Sequence, residues 1–94
     1  TTSLMNSSYN NDTRTTKLLL EYNANPDLGN KYGDTALHIA CRQGYLEIVK
    51  LLLEHNANLN IENRFAGANT PLKLAEREGH EEIVALLKGK IDDN

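Results

Sequence analysis

Lys17-Leu18-Leu19-Leu20-Glu21-Tyr22-Asn23-Ala24-Asn25 returns 33 residues later as Lys50-Leu51-Leu52-Leu53-Glu54-His55-Asn56-Ala57-Asn58, with eight of nine positions identical. Two further pairs extend the repetition. Thr35-Ala36-Leu37-His38-Ile39-Ala40 matches Thr70-Pro71-Leu72-Lys73-Leu74-Ala75, and Glu47-Ile48-Val49-Lys50-Leu51-Leu52 matches Glu82-Ile83-Val84-Ala85-Leu86-Leu87, both at an offset of 35. The change from 33 to 35 puts a two-residue insertion between Asn60 and Thr70. A period in this range signals a repeat architecture, in which each unit buries its apolar face only by stacking on its neighbours.

Local chemistry defines the unit. Thr70 before Pro71 reads as an N-cap followed by proline at the first helical position, where a missing N–H costs nothing. Gly79 then ends a short first helix in the left-handed region, and Thr35 and Gly44 bracket its counterpart. Second helices carry broad apolar stripes at Ile48, Val49, Leu51, Leu52 and at Ile83, Val84, Leu86, Leu87. Asn23 and Asn56 stop these helices, because Asn tolerates αL better than other non-glycine residues. Polar, turn-rich stretches over residues 27–34 and 60–69 project between the units.

Composition bounds the rest. The 94 residues carry a net charge of −3, 39% hydrophobic and 24% charged residues, four Tyr, one Phe and no Trp. That suffices for one folded domain and argues against a nucleic-acid binder, which needs a basic face. No apolar run reaches membrane-spanning length, and no signal peptide opens the chain. A lone cysteine, Cys41, excludes an internal disulfide and a multi-cysteine zinc site and suits a reducing compartment, so a cytoplasmic location is expected, with the nucleus as alternative.

The chain resembles the ankyrin-repeat family, whose 33-residue unit has a Thr-Pro-Leu-His-x-Ala signature. The matching residues are Thr35 to Ala40, Gly44 to Leu53 and Asn56 to Asn60, then Thr70-Pro71-Leu72 and Gly79 to Val84. In the same register Thr2 to Ser7 fills the slot of a degenerate first copy, with Asn6, Ser7 and Thr16 where the second has Ile39, Ala40 and Val49. The resemblance implies one domain over 1–94 with an all-α fold: a solenoid of helix-turn-helix units with projecting β-hairpin or loop fingers. Its repeats fall at about 1–32, 33–67 and 68–94. The ten charged residues after Thr70 suit a water-facing C-terminal cap. Thr1, at the signature itself, is read as a boundary with room for further repeats upstream.

The family resemblance further implies a non-enzymatic module that binds another protein on its concave palm and fingers. No cofactor, metal, nucleic acid or membrane is implied. Carried over by position, the palm residues are Tyr9, Asn10, Arg42, Gln43, Arg77 and Glu78. The finger residues are Lys31, Tyr32 and Asp34, then Arg64, Phe65 and Asn69. Tyr32 and Phe65 lie 33 apart, at equivalent places in successive fingers. Aromatics beside basic residues are the composition of binding hot spots, against which stands a reading in which both rings fold over a neighbouring finger. Asn60 is a candidate for asparaginyl hydroxylation, although Leu59 and Asn58 depart from the pattern around it. The alternative function is an internal segment of a longer scaffold, monomeric or self-associating through its N-terminal end.

Other constellations read as structural. His38 and Cys41 share a helix but have too few partners for zinc, and Cys41 adjoins Ala40 on the apolar side. Glu76, Glu78, Glu81 and Glu82 spread around a solvated surface without a calcium-loop pattern. Asn6-Ser7-Ser8 and Asn11-Asp12-Thr13 match the glycosylation acceptor pattern, which matters only after secretion. Gly29, Gly33 and Gly67 lack the Gly-Lys-Ser/Thr of a phosphate loop.

Overall fold

Thr2, Thr35 and Thr70 each turn a side-chain oxygen onto the backbone N–H three residues ahead, and each opens a short helix. The computed structural model describes residues 2–64 and 67–92. These contain six helices: α1 (Ser3–Tyr9), α2 (Thr13–Glu21), α3 (Ala36–Gln43), α4 (Leu46–Glu54), α5 (Pro71–Arg77) and α6 (Glu81–Asp92). They pair as α1·α2, α3·α4 and α5·α6, and the pairs stack in two rows. First helices α1, α3 and α5 pack in one row, second helices α2, α4 and α6 in the other.

Left-handed residues punctuate every unit at the same places. Asn11 (φ 55°), Gly44 (80°) and Gly79 (74°) separate the helices within a pair, and Asn23 (67°) and Asn56 (62°) end α2 and α4. Pro71 occupies the start of α5 as its sequence position predicts. At Gly44 a glycine is needed twice over. Its φ is positive, and an added Cβ would lie 2.6 Å from Cε1 of the His80 ring. That ring bonds from Nε2 to the Arg42 carbonyl at 3.1 Å, tying the third pair to the second.

One core runs through the stack, with Leu37, Ile48, Val49, Leu52, Ile83 and Leu87 fully buried. The first pair departs from this pattern, because Ser7 and Thr16 are buried where the second pair has Ala40 and Val49. Their hydroxyls lie 2.8 Å apart. Since Ser7 Oγ also donates to the Leu4 carbonyl at 3.1 Å, it accepts from Thr16. Two polar substitutions that look degenerate one at a time therefore satisfy each other. No helix among the described residues is long and apolar enough to cross a membrane.

Of the two finger forms expected, hairpin or loop, the described residues show the loop. Among the described residues there is no strand, only a single antiparallel bridge between Asn63 and Asn69. Each finger closes through a backbone bond and the side chain of an asparagine, which stands in for the further rungs of a ladder.

Candidate functional site

The first finger is clasped by Asn30. Its backbone N–H donates to the Asp34 carbonyl at 3.0 Å. Its side-chain Oδ1 accepts from the backbone N–H of Tyr32 at 2.9 Å and of Asp34 at 3.2 Å. Asn63 repeats the clasp in the second finger: its N–H donates to the Asn69 carbonyl at 3.0 Å, and its Oδ1 accepts from the Asn69 N–H at 3.2 Å. The two-residue insertion thus lengthens the tip and leaves the closing bonds unchanged. Sequence reasoning passed over both clasps, although two Asn residues 33 apart in turn-rich stretches were the available signal.

The fingers also bond to each other. The Arg64 N–H donates to the Tyr32 carbonyl at 2.6 Å, and Arg64 Nη2 donates to the Lys31 carbonyl at 2.7 Å. Close backbone approach requires Gly33 (φ 78°), where a Cβ would lie 3.2 Å from Asn63 Cα. The Lys31 ammonium stands 5.2 Å from the centre of the Tyr32 ring, within cation–π range.

Beneath the first finger a cleft of about 210 Å³ is lined by Met5, Asn6, Tyr9, Asn30, Asp34, Ile39 and Arg42. It brings together two residues expected in the palm, Tyr9 and Arg42, and one expected on a finger, Asp34. Asp34, expected among the finger residues, is buried. It is 7% exposed, and its carboxylate accepts from Arg42 Nη2 at 3.0 Å on both oxygens and from Asn63 Nδ2 at 2.7 Å. Its chemistry is to hold Arg42 over the cleft and to pin the second finger onto the first. Burial follows, because three donated bonds compensate the lost water.

Among the described residues the other expected positions do not line this cleft. Tyr32 is 44% exposed, against 59% for Tyr9. Asn10 and Gln43 are exposed at the ends of α1 and α3, and Arg77 and Glu78 at the end of α5. Lys31 and Arg64 are exposed, whereas Asn69 is half-buried and engaged in the second clasp. Phe65 lies outside the described residues. Asn60 is exposed, its N–H bonded to Asn58 Oδ1 at 2.8 Å.

His38 and Cys41 serve the stack. His38 Nδ1 accepts from the Thr35 N–H at 3.1 Å, so Nε2 carries the proton and donates to the Asn69 carbonyl at 2.9 Å. The imidazole is a strut between α3 and the next finger, and burial holds its pKa below the usual value. Lys73 replaces it in α5. Burial pushes the Cys41 thiol up to about 12, which keeps it protonated and unreactive at neutral pH. Among the described residues no three His, Cys, Asp or Glu side chains converge as a metal site would require.

A family model described as "Ankyrin repeats (3 copies)" matches residues 4–94. No curated protein sequence gives a significant match.

Proposed function

We propose, from the premise that this chain belongs to the ankyrin-repeat family, that it is a non-enzymatic module binding another protein beside its first-helix row and fingers. Members of the family are in general protein-interaction modules. The observation that carries the reading is the cleft under the first finger, which Arg42 and the exposed Tyr9 both line and where Arg42 is held by Asp34. An anchored arginine beside an exposed tyrosine has the composition of an interface hot spot. Anchoring also lowers the ordering cost of association, since Arg42 loses little rotamer freedom on contact.

Photo-crosslinking in lysate of the source cell tests this reading, comparing the native chain with Tyr9→Ala and Tyr32→Ala variants. Expected is a discrete captured protein whose yield falls at least about tenfold with Tyr9→Ala, as for an anchor of roughly 2 kcal/mol. Equal capture by all three forms refutes the reading.

A second reading, a scaffold segment that stacks on further repeats or on itself, draws on the first pair. Leu18, Tyr22 and Leu28 are 52%, 79% and 52% exposed, whereas their equivalents Leu51, His55 and Ile61 are half-buried in the middle of the stack. Sedimentation at rising concentration, with Leu18→Glu as control, tests it. Association abolished by the variant favours stacking, and a constant monomer mass removes self-association.

A further inference from the structure

We propose that Lys31 and Arg64, side by side on successive fingers, form a docking site for an acidic segment of a partner protein, a run of Asp and Glu side chains. This deepens the binding-module reading and rests on it.

Lys31 and Arg64 occupy equivalent places in successive fingers, 33 residues apart. The direct bonds from Arg64 to the Lys31 and Tyr32 carbonyls fix the two cationic residues side by side. Among the described residues neither forms an ion pair. The Lys31 ammonium and the Arg64 guanidinium thus stand on neighbouring fingers with no counter-charge among the described residues, and an incoming anion supplies one. Nearby carboxylates do not supply it. Asp34 is committed to Arg42 and Asn63, and Asp27 accepts the Asn58 N–H at 2.7 Å. Glu62, two residues before Arg64, is exposed and pairs with neither cation.

The field around the molecule sharpens this. The whole chain carries −3, so its net charge opposes an acidic partner while Lys31 and Arg64 attract one locally, which orients the encounter. The tip chemistry favours carboxylates over a doubly charged phosphate. One arm of the Arg64 guanidinium is already engaged by the Lys31 carbonyl, and an ammonium acts as a point charge. Such a pair suits single contacts spread along an extended chain better than one group gripped bidentately.

The test uses the isotope-labelled chain and a synthetic peptide of about a dozen residues alternating Glu and Ser, followed by NMR at low salt. Expected are shifts of the Lys31, Tyr32 and Arg64 amides, an affinity that falls about tenfold between ~20 and ~200 mM salt, and a similar loss with Lys31→Glu. Lys31 is exposed, so an unchanged melting curve verifies that this variant folds. The proposal is overturned by silent tip amides, by equal binding to Lys31→Glu, or by tighter tip binding of a phosphoserine peptide or single-stranded RNA. Tyr9-dependent capture of a partner together with silent tips would overturn the acidic-segment assignment alone. Loss of both would overturn the module reading with it.

Discussion

Replacing Ser7 by Ala and Thr16 by Val restores, in the first helix pair, the residues that the second pair has at Ala40 and Val49. Both hydroxyls are buried, and they form a chain in which Thr16 donates to Ser7 and Ser7 donates to the Leu4 carbonyl. Ser7→Ala therefore removes the acceptor of the Thr16 proton and leaves a fully buried donor orphaned, at a cost of about 1–3 kcal/mol. Thr16→Val leaves the Ser7 donation to Leu4 intact, so its cost is smaller, about 0.5–1 kcal/mol. The double variant leaves no orphan and adds apolar contact, so its stability should lie within about 0.5 kcal/mol of the native chain or above it. A cycle built from urea denaturation followed by circular dichroism should then show about 1 kcal/mol or more of coupling. In a chain this short each kcal/mol displaces the melting temperature by about 4–8 °C, so the differences are measurable. Additive single effects, or a double variant that is the least stable of the four, would refute the hydroxyl-pair account.

Three further outcomes are expected. Gly44→Ala should cost about 2–3 kcal/mol, combining left-handed strain with displacement of the His80 ring 2.6 Å away. Gly79→Ala, with φ 74° but no atom within 4 Å of the new Cβ, should cost only about 1 kcal/mol, and equal melting shifts would contradict the close approach. Because burial holds the His38 pKa below the usual imidazole value of about 6.5 in the folded chain, the unfolded chain binds the extra proton first; stability is full above that value and declines as pH falls through it. Denaturation at stepped pH checks this, and a His38 NMR titration at or above the ordinary value would contradict it. Asp34→Ala should cost about 2–3 kcal/mol by orphaning the buried Asn63 amide, and should speed hydrogen exchange at the Arg64 N–H; unchanged exchange would mean that the fingers hold together without the carboxylate.

Much of the fold was legible because it is written in local chemistry. Thr–Pro at 70–71, the αL residues Asn23, Asn56, Gly44 and Gly79, and the leucine stripes each obey short-range rules that the structure follows. What escaped depends on contacts between distant positions. The partnership of Ser7 with Thr16 is invisible at either residue alone. Asp34 reads as an exposed loop acid until Arg42 and Asn63 arrive from other elements to bury it. The choice between hairpin and loop fingers stayed open for a similar reason, since nothing in a stretch such as Asn30 to Asp34 says how far its side chain will share in closing the turn. At the candidate site, register alone brought Tyr9 and Arg42 to one surface, while the cleft between them needed the finger as its wall.

The clasp shared by the two fingers has an engineering consequence. Asn30 and Asp34 enclose three residues, Asn63 and Asn69 enclose five, and both loops close with the same backbone and side-chain bonds. Length beyond the clasp is thus uncoupled from the helical stack, and the entropic penalty of extending such a loop grows only logarithmically, by about 0.6 kcal/mol per doubling. A foreign epitope grafted between Asn63 and Asn69 should be displayed at the tip while the helices beneath keep their melting temperature, which would make this small chain a presentation frame whose reach can be set independently of its stability.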